Sequence, residues 1–182
     1  ARADAQEVAT VLQKRYGFAK ERMIQLYDKK ASRDEIIMAL ESLGGAVGEK
    51  DSLLIYYAGH GEFNKINKRG FWIPSDAMKD KQSTFVSNAD IKDYLESIKA
   101  KHIYTISDSC FSESLMGKTR SLGGDRAIKE LFSSKSRWIL TSGGLYPVPD
   151  KAKGNHSTFA YHLIRLLENN ENQYLTPMQI IT

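Results

Sequence analysis

The fold class is indicated most clearly by two segments: LLIYYAGHG at residues 53–61 and IYTISDSCFS at residues 103–112. Each begins as an apolar run of strand length and ends in a turn of small and polar residues. The first turn carries His60, and the second carries Cys110, the only cysteine of the chain. Reactive groups collect at the carboxyl ends of strands in open parallel sheets, so these two side chains are expected to meet if their strands are parallel neighbours.

A cysteine and a histidine placed in this way suit acyl transfer. A thiol with an ordinary pKa of about 8.5 is only slightly ionised at neutral pH, and a nearby imidazole can take its proton and later pass it to a leaving amine. Cys110 is therefore a candidate nucleophile and His60 its candidate general base. The alternatives are a turn histidine after a buried strand and a buried structural thiol. Glycines on both sides of His60 and polar neighbours of Cys110 favour the catalytic interpretation.

Helices and strands alternate along the rest of the chain. Capping-box patterns beginning at Ser32 and Ser87 each precede apolar residues at helical spacing, and Thr176 with Pro177 opens a last helix. Four strands separated by helices imply parallel βαβ units, and hence a three-layer α/β/α sandwich. The predicted helices lie at 3–15, from Ser32 to Gly44-Gly45, from Ser87 to Ile98 and at 158–168, and the further strands lie at 23–27 and 137–141.

Composition limits the classes of function. The 182 residues, 41% of them hydrophobic, predict a single domain with one substantial core. The net charge of +4 comes from interspersed charges, so no nucleic-acid partner is expected. No apolar run is long enough for a membrane span, and a lone cysteine suits a reducing compartment, so we predict a cytoplasmic protein. No cluster has metal-ligand spacing, and we predict no metal and no cofactor.

The resemblance to a known family lies in several segments. YYAGHG at residues 56–61 and DSCFS at residues 108–112 resemble the histidine and cysteine motifs of the caspase-like cysteine peptidases, on their metacaspase, paracaspase and bacterial caspase-homologue side. The 50 residues from His60 to Cys110 match the spacing of about 50 in caspases. Further likeness lies in GFWIPSDA at 70–77, ILTSGG at 139–144 and HSTFA at 156–160.

The resemblance implies a caspase-like fold with a mostly parallel sheet over residues 1–182. In that fold a first strand precedes the helix predicted at 3–15, and here nothing stands before that helix. The last predicted helix is cut short at Thr182, and the sequence begins at Ala1 without an initiator methionine. We therefore expect a single peptidase domain that is truncated at both ends.

The resemblance also assigns roles to individual residues. The backbone amides of Gly61 and Cys110 become candidate oxyanion donors, and Ser142 with Gly143 resembles the edge on which an extended substrate pairs. Asp108 lies two residues before the nucleophile, on the same side of an extended strand, so it can line the pocket for the residue before the scissile bond. An acidic pocket selects arginine or lysine; the alternative is a carboxylate that caps a local turn.

Three features modify these expectations. Relatives commonly have glycine where Glu113 stands and an acid where Tyr146 stands, so basic selectivity rests mainly on Asp108, together with any acid from a missing N-terminal part. Residues 113–136 contain Gly117, Gly123, Gly124 and several basic side chains. This stretch is either a solvated surface loop or a loop that the enzyme cuts in itself.

The sequence predicts a cysteine endopeptidase that cleaves proteins after arginine or lysine with a Cys–His dyad. The alternatives are a catalytically silent caspase-homologue module for assembly or regulation and, less favoured, a thiol enzyme that transfers an acyl group to an amine. The expected partners are a protein or peptide substrate and a fused or associated regulatory module, with no nucleic acid and no membrane.

Overall fold

A computed structural model of the chain describes residues 1–109, 134–143, 155–172 and 175–181. Short 3-10 turns lie at Lys20–Arg22, Asp28–Lys30 and Gln82–Thr84. The helices and strands are α1 (Arg2–Tyr16), α2 (Arg33–Ala46), β1 (Ser52–Ala58), β2 (Gly61–Asn64), β3 (Arg69–Trp72), β4 (Val86–Ser87), α3 (Asn88–Ser97), β5 (His102–Asp108), β6 (Ser136–Thr141), α4 (Thr158–Asn169) and α5 (Pro177–Ile181).

The main sheet is parallel, with the strand order β1-β5-β6 among the described strands. Its middle strand is β5, in which Ile103, Thr105, Ile106 and Ser107 are each at most 2% exposed. A parallel strand with covered faces needs apolar or β-branched residues on both sides, as this strand has. The predicted neighbours, the histidine strand and the cysteine strand, do pair in parallel.

Helices cover both faces of this sheet. On one face α1 and α4 bury Val8, Leu12, Leu163 and Ile164 against Ile106. On the other face α2 and α3 pack their apolar residues against alternate residues of β1 and β5, among them Leu53, Ile55, Tyr57 and Ile103. Successive side chains of a strand point to opposite faces, so one apolar strand can serve both cores. The predicted three-layer α/β/α sandwich is confirmed.

A small antiparallel sheet lies beside the main one, with the order β2-β3-β4. β2 begins at Gly61 and pairs with β3, so that Gly61 lies opposite Trp72. These strands have four, four and two residues and were not predicted from the sequence. Strands of this length offer too few residues for their alternation to be recognised.

The helix starts agree with the capping patterns. Ser32 accepts a hydrogen bond from the backbone amide of Glu35, and Ser87 accepts one from that of Asp90. Serine also caps α4, where Ser157 accepts from the amide of Ala160 at 2.9 Å. Among the described helices, none is long and apolar enough to cross a membrane.

The strand predicted at residues 23–27 is wrong. Met23 and Tyr27 have extended backbone angles, but the segment pairs with no strand in the described ranges. It is confined between 3-10 turns at 20–22 and 28–30, and Ile24 is 53% exposed. Extended backbone becomes a strand only where a neighbour supplies hydrogen bonds, and here the turns leave the segment outside the sheet.

Candidate active site

The carboxyl ends of β1, β5 and β6 meet at one edge of the main sheet. Beyond the ladder, the amide of Gly59 donates to the Asp108 carbonyl at 3.2 Å, and the amide of Ser142 donates to the Ser107 carbonyl at 3.1 Å. The turn with His60, the end of the cysteine strand and the Ser142-Gly143 segment are thereby held side by side. This edge is where an open parallel sheet places its ligands.

The backbone at His60 is held by two hydrogen bonds, while its side chain is exposed. The Tyr57 hydroxyl donates to the His60 carbonyl at 2.8 Å, and the Ile73 amide donates to the same oxygen at 3.0 Å. A Cβ atom at Gly59 would lie 2.7 Å from the Tyr57 hydroxyl oxygen, so a glycine is needed for this close approach. The turn therefore presents the imidazole to solvent from a fixed backbone.

Aromatic and polar groups join this turn to the cysteine strand. Tyr57 stacks on Trp72, with ring centroids 4.2 Å apart and planes 4° apart. The Trp72 indole donates to the Ser107 hydroxyl at 3.1 Å, and that hydroxyl lies 3.0 Å from the hydroxyl of Ser109. Ser109 is buried and stands directly before Cys110. We call the group Tyr57, Gly59, His60, Trp72, Ser107 and Ser109 the histidine side of the site.

Asp108 ends β5 on the other face of the sheet, toward α1 and α4. Its Oδ2 accepts a hydrogen bond from the Ser157 hydroxyl, and its side chain also forms a hydrogen bond with that of Ser142. Burial raises the pKa of Asp108, the hydrogen bonds with Ser157 and Ser142 oppose this rise, and the charge of Asp4 adds to it. The carboxylate is therefore half-buried and lies near enough to a second acid to be affected by its charge.

That second acid, Asp4, was not predicted from the sequence as a site residue. Its side chain is 2% exposed, and its Oδ1 lies 2.8 Å from His156 Nδ1 and accepts from the Ser157 amide at 3.3 Å. Its Oδ2 lies 2.7 Å from the Ala1 amino group. A signal was present, because Asp4 stands four residues before Val8 and eight before Leu12, on the apolar face of α1.

Tyr56 completes this region of the site. Burial raises the pKa of Tyr56, and the charges of Asp108 and Asp4 raise it further, so the phenol stays neutral. Its hydroxyl is buried and has no hydrogen-bond partner among the described residues. The negative charge here therefore comes from the two carboxylates. We call Asp4, Tyr56, Asp108, His156 and Ser157 the acidic side of the site.

The predicted site residues fall into two groups. Five of them, within the described residues, lie along the carboxyl edge of the main sheet: His60, Gly61, Asp108, Ser142 and Gly143. Cys110 lies outside the described residues, as do Glu113, Tyr146 and most of the segment 113–136. Within the described ranges, no group of three or more histidine, cysteine and acidic side chains could hold a metal ion.

Comparisons with known proteins agree with this architecture. The model of the caspase domain family, peptidase C14, matches residues 1–182. Among solved structures, the chain is similar to the protein GSU0716 from Geobacter sulfurreducens, with a TM-score of 0.58 and 20% identity over 92% of this chain and 72% of that chain. An identity this low shows a shared fold alone. No curated protein sequence matches the chain.

Proposed function

Because the chain belongs to the caspase domain family of peptidases, we propose that it is a cysteine endopeptidase that cleaves proteins after arginine or lysine. The observation that carries the basic specificity is the pair of acids, Asp4 and Asp108, beside the turn that presents His60. Membership of the family supports cysteine peptidase chemistry in general. The proposed selectivity for arginine and lysine rests on this pair of charges.

In the proposed reaction Cys110 is the nucleophile. His60 takes the thiol proton, the sulfur attacks the scissile carbonyl carbon, and the backbone amides of Gly61 and Cys110 receive the oxyanion. The carbon–nitrogen bond then breaks, and His60 gives its proton to the leaving amine. Water, deprotonated by His60, hydrolyses the thioester and regenerates the thiol. The exposed imidazole on a fixed turn supports this role, because it must meet both a thiol and a solvent molecule.

The acidic side is proposed to bind the substrate residue before the scissile bond. Burial is the main cause of the raised pKa of Asp108, and the repulsion between its carboxylate and the charge of Asp4 adds to it. A guanidinium or ammonium group that binds at Asp108 gains charge-assisted hydrogen bonds there and is also attracted by the buried charge of Asp4. An aspartate in the same place would add a third negative charge. The pocket therefore favours arginine and lysine and rejects acidic residues.

Ser142 and Gly143 are proposed to bind the substrate backbone. They follow β6, and the Ser142 amide still continues the ladder by donating to Ser107. A peptide that lies extended along this edge can bond by strand pairing, as peptides do on exposed sheet edges. The partners in this proposal are a protein substrate and a fused or associated regulatory module.

The test is cleavage of a peptide panel that differs only in arginine, lysine or aspartate before the scissile bond. The full-length protein is compared with its Cys110→Ala and His60→Ala variants. Cleavage after arginine or lysine that both substitutions abolish is the expected result. Cleavage after aspartate would overturn the specificity and keep the peptidase. Absence of any cleavage by the full-length protein, with candidate activators added, would favour a catalytically silent module for assembly or regulation.

A further inference from the structure

Two consecutive residues at the start of α4 contact both acids of the site. His156 Nδ1 lies 2.8 Å from Asp4 Oδ1, and the backbone amide of Ser157 donates to the same oxygen at 3.3 Å. The Ser157 hydroxyl donates to Asp108 Oδ2 and accepts the Ala160 amide at 2.9 Å. One dipeptide therefore holds a carboxylate on α1 and a carboxylate on β5.

The contacts of Ser157 differ from those of the other capping serines. Ser32 and Ser87 each accept from an amide of their own helix, and no hydrogen bond from their hydroxyls to a carboxylate is seen in the described part of the chain. The Ser157 hydroxyl has one proton, and it directs that proton to Asp108. The cap of α4 is thus also a donor to the acidic side, which capping alone does not require.

Like charges held close together need donors that fix their geometry. Asp4 is 2% exposed, so water cannot replace a donor that is lost there. Without these hydrogen bonds each carboxylate can turn away from the other, and this change weakens the attraction for a cation. The start of a helix adds a partial positive charge that favours both anions.

We infer that His156 and Ser157 are positioning residues that determine the specificity of the site, by holding Asp108 so that it faces the basic side chain of the substrate and by holding the buried charge of Asp4 close to it. This inference rests on the proposed function, because it assigns the acid pair to the substrate pocket. Neither residue touches the reacting atoms, and their effect passes through the two carboxylates.

The experiment compares two peptides that differ at one residue, arginine or citrulline, before the scissile bond. Citrulline keeps the shape of arginine and lacks its charge, so the ratio of the two kcat/KM values reports the attraction for the cation. The ratio is measured for the full-length wild type and for five variants of it: Ser157→Ala, Ser157→Gly, Ser157→Thr, His156→Ala and His156→Asn. Ser32→Ala is the matched control, because it removes a capping hydroxyl from α2.

Loss of the Ser157 hydroxyl is expected to lower the arginine-to-citrulline ratio by roughly 5- to 30-fold, because kcat/KM falls more for the arginine peptide than for the citrulline peptide. Ser157→Gly keeps a residue that caps helices well, so it gives this result even if Ser157→Ala does not fold. Ser157→Thr, which keeps a hydroxyl, is expected to keep the arginine-to-citrulline ratio of the wild type. His156→Asn, which can offer an amide proton near the position of Nδ1, retains more of the ratio than His156→Ala does.

A double substitution separates positioning from folding. In an Asp108→Asn background, Ser157→Gly is expected to leave the ratio unchanged, because the hydroxyl acts through the Asp108 charge. Equal losses on both peptides, or the same loss of ratio in Ser32→Ala, would overturn the positioning role. If wild type discriminates and Ser157→Gly discriminates as strongly, the positioning role alone is wrong. If wild type does not discriminate, the proposed specificity fails and the positioning role fails with it.

Discussion

The histidine side and the acidic side occupy opposite faces of the same sheet edge, and they are built differently. On the histidine side, His60 is held through its backbone by Tyr57 and Ile73, and its side chain is left exposed. On the acidic side, Asp4 and Asp108 are held through their side chains by His156 and Ser157. A proton carrier has to move between partners, whereas a charge that selects a substrate has to stay in one place.

Changes on the two sides should therefore have different signatures. A change on the histidine side should slow all substrates alike, because it alters the position of the general base. A change on the acidic side should alter the preference between substrates and leave the chemistry intact. Four predictions, given in order of decreasing magnitude, test this difference.

The largest effect is expected from Asp108→Asn. This change removes the half-buried carboxylate that pairs with the arginine side chain of the substrate. It should lower kcat/KM for the arginine peptide by roughly 10²- to 10³-fold, with little change for the citrulline peptide. The measurement is steady-state cleavage of both peptides. Asp34→Asn is the control, because it removes the same charge from a side chain that is 87% exposed. An equal loss for both peptides would remove the distinction between the two sides.

An intermediate effect is expected from Tyr57→Phe. This change deletes the hydroxyl that donates to the His60 carbonyl at 2.8 Å and keeps the ring that stacks on Trp72. We expect kcat to fall about 10-fold for arginine and citrulline peptides alike, with a loss of about 1 kcal/mol in the free energy of unfolding. Tyr27→Phe, which removes an exposed hydroxyl bonded to Gln25, is the control. A change in the arginine-to-citrulline ratio would contradict the assignment of Tyr57.

A smaller effect concerns stability and pH. Burial raises the pKa of Asp108, so the folded protein keeps the carboxyl proton of Asp108 at a pH at which the unfolded chain has lost it. The free energy of unfolding therefore falls as pH rises through that window, and ionised Asp108 destabilises the fold at neutral pH. Asp108→Asn should raise the melting temperature there by no more than about 2 °C, because partial exposure screens the charge. Melting curves below the ordinary carboxyl pKa should coincide; a difference that grows with acidity would contradict the sign.

The smallest effect is expected away from both sides. Lys92 and Glu96 form a pair at 3.8 Å on α3, with side chains 57% and 64% exposed. Lys92→Gln should change the free energy of unfolding by less than about 0.5 kcal/mol and leave both peptides unaffected. Denaturant unfolding with the peptide assay checks this. A substrate-dependent effect here would mean that selectivity is spread over the surface, and the contrast between the two sides would be lost.

Much of the fold was predictable because its signals are local. The capping serines Ser32 and Ser87 and the apolar spacing behind them need only neighbouring residues, and those helices begin where predicted. The strand predicted at 23–27 failed because extended backbone needs a partner, and no short window of sequence contains that partner. The strands of the small antiparallel sheet were missed because four, four and two residues are too few to show alternation.

The site divides in the same way. The α/β fold and the order of the histidine and cysteine turns could be predicted from the sequence, because apolar runs ending in small polar turns require only local information, and the caspase-like type of that fold was implied by the resemblance of the motifs. Two features depend on the tertiary structure. Asp4 lies near Asp108 although 104 positions separate them, and His156 and Ser157 hold both acids. Attraction and repulsion between charges depend on distance in space, and the packing of α1 and α4 on the sheet sets that distance.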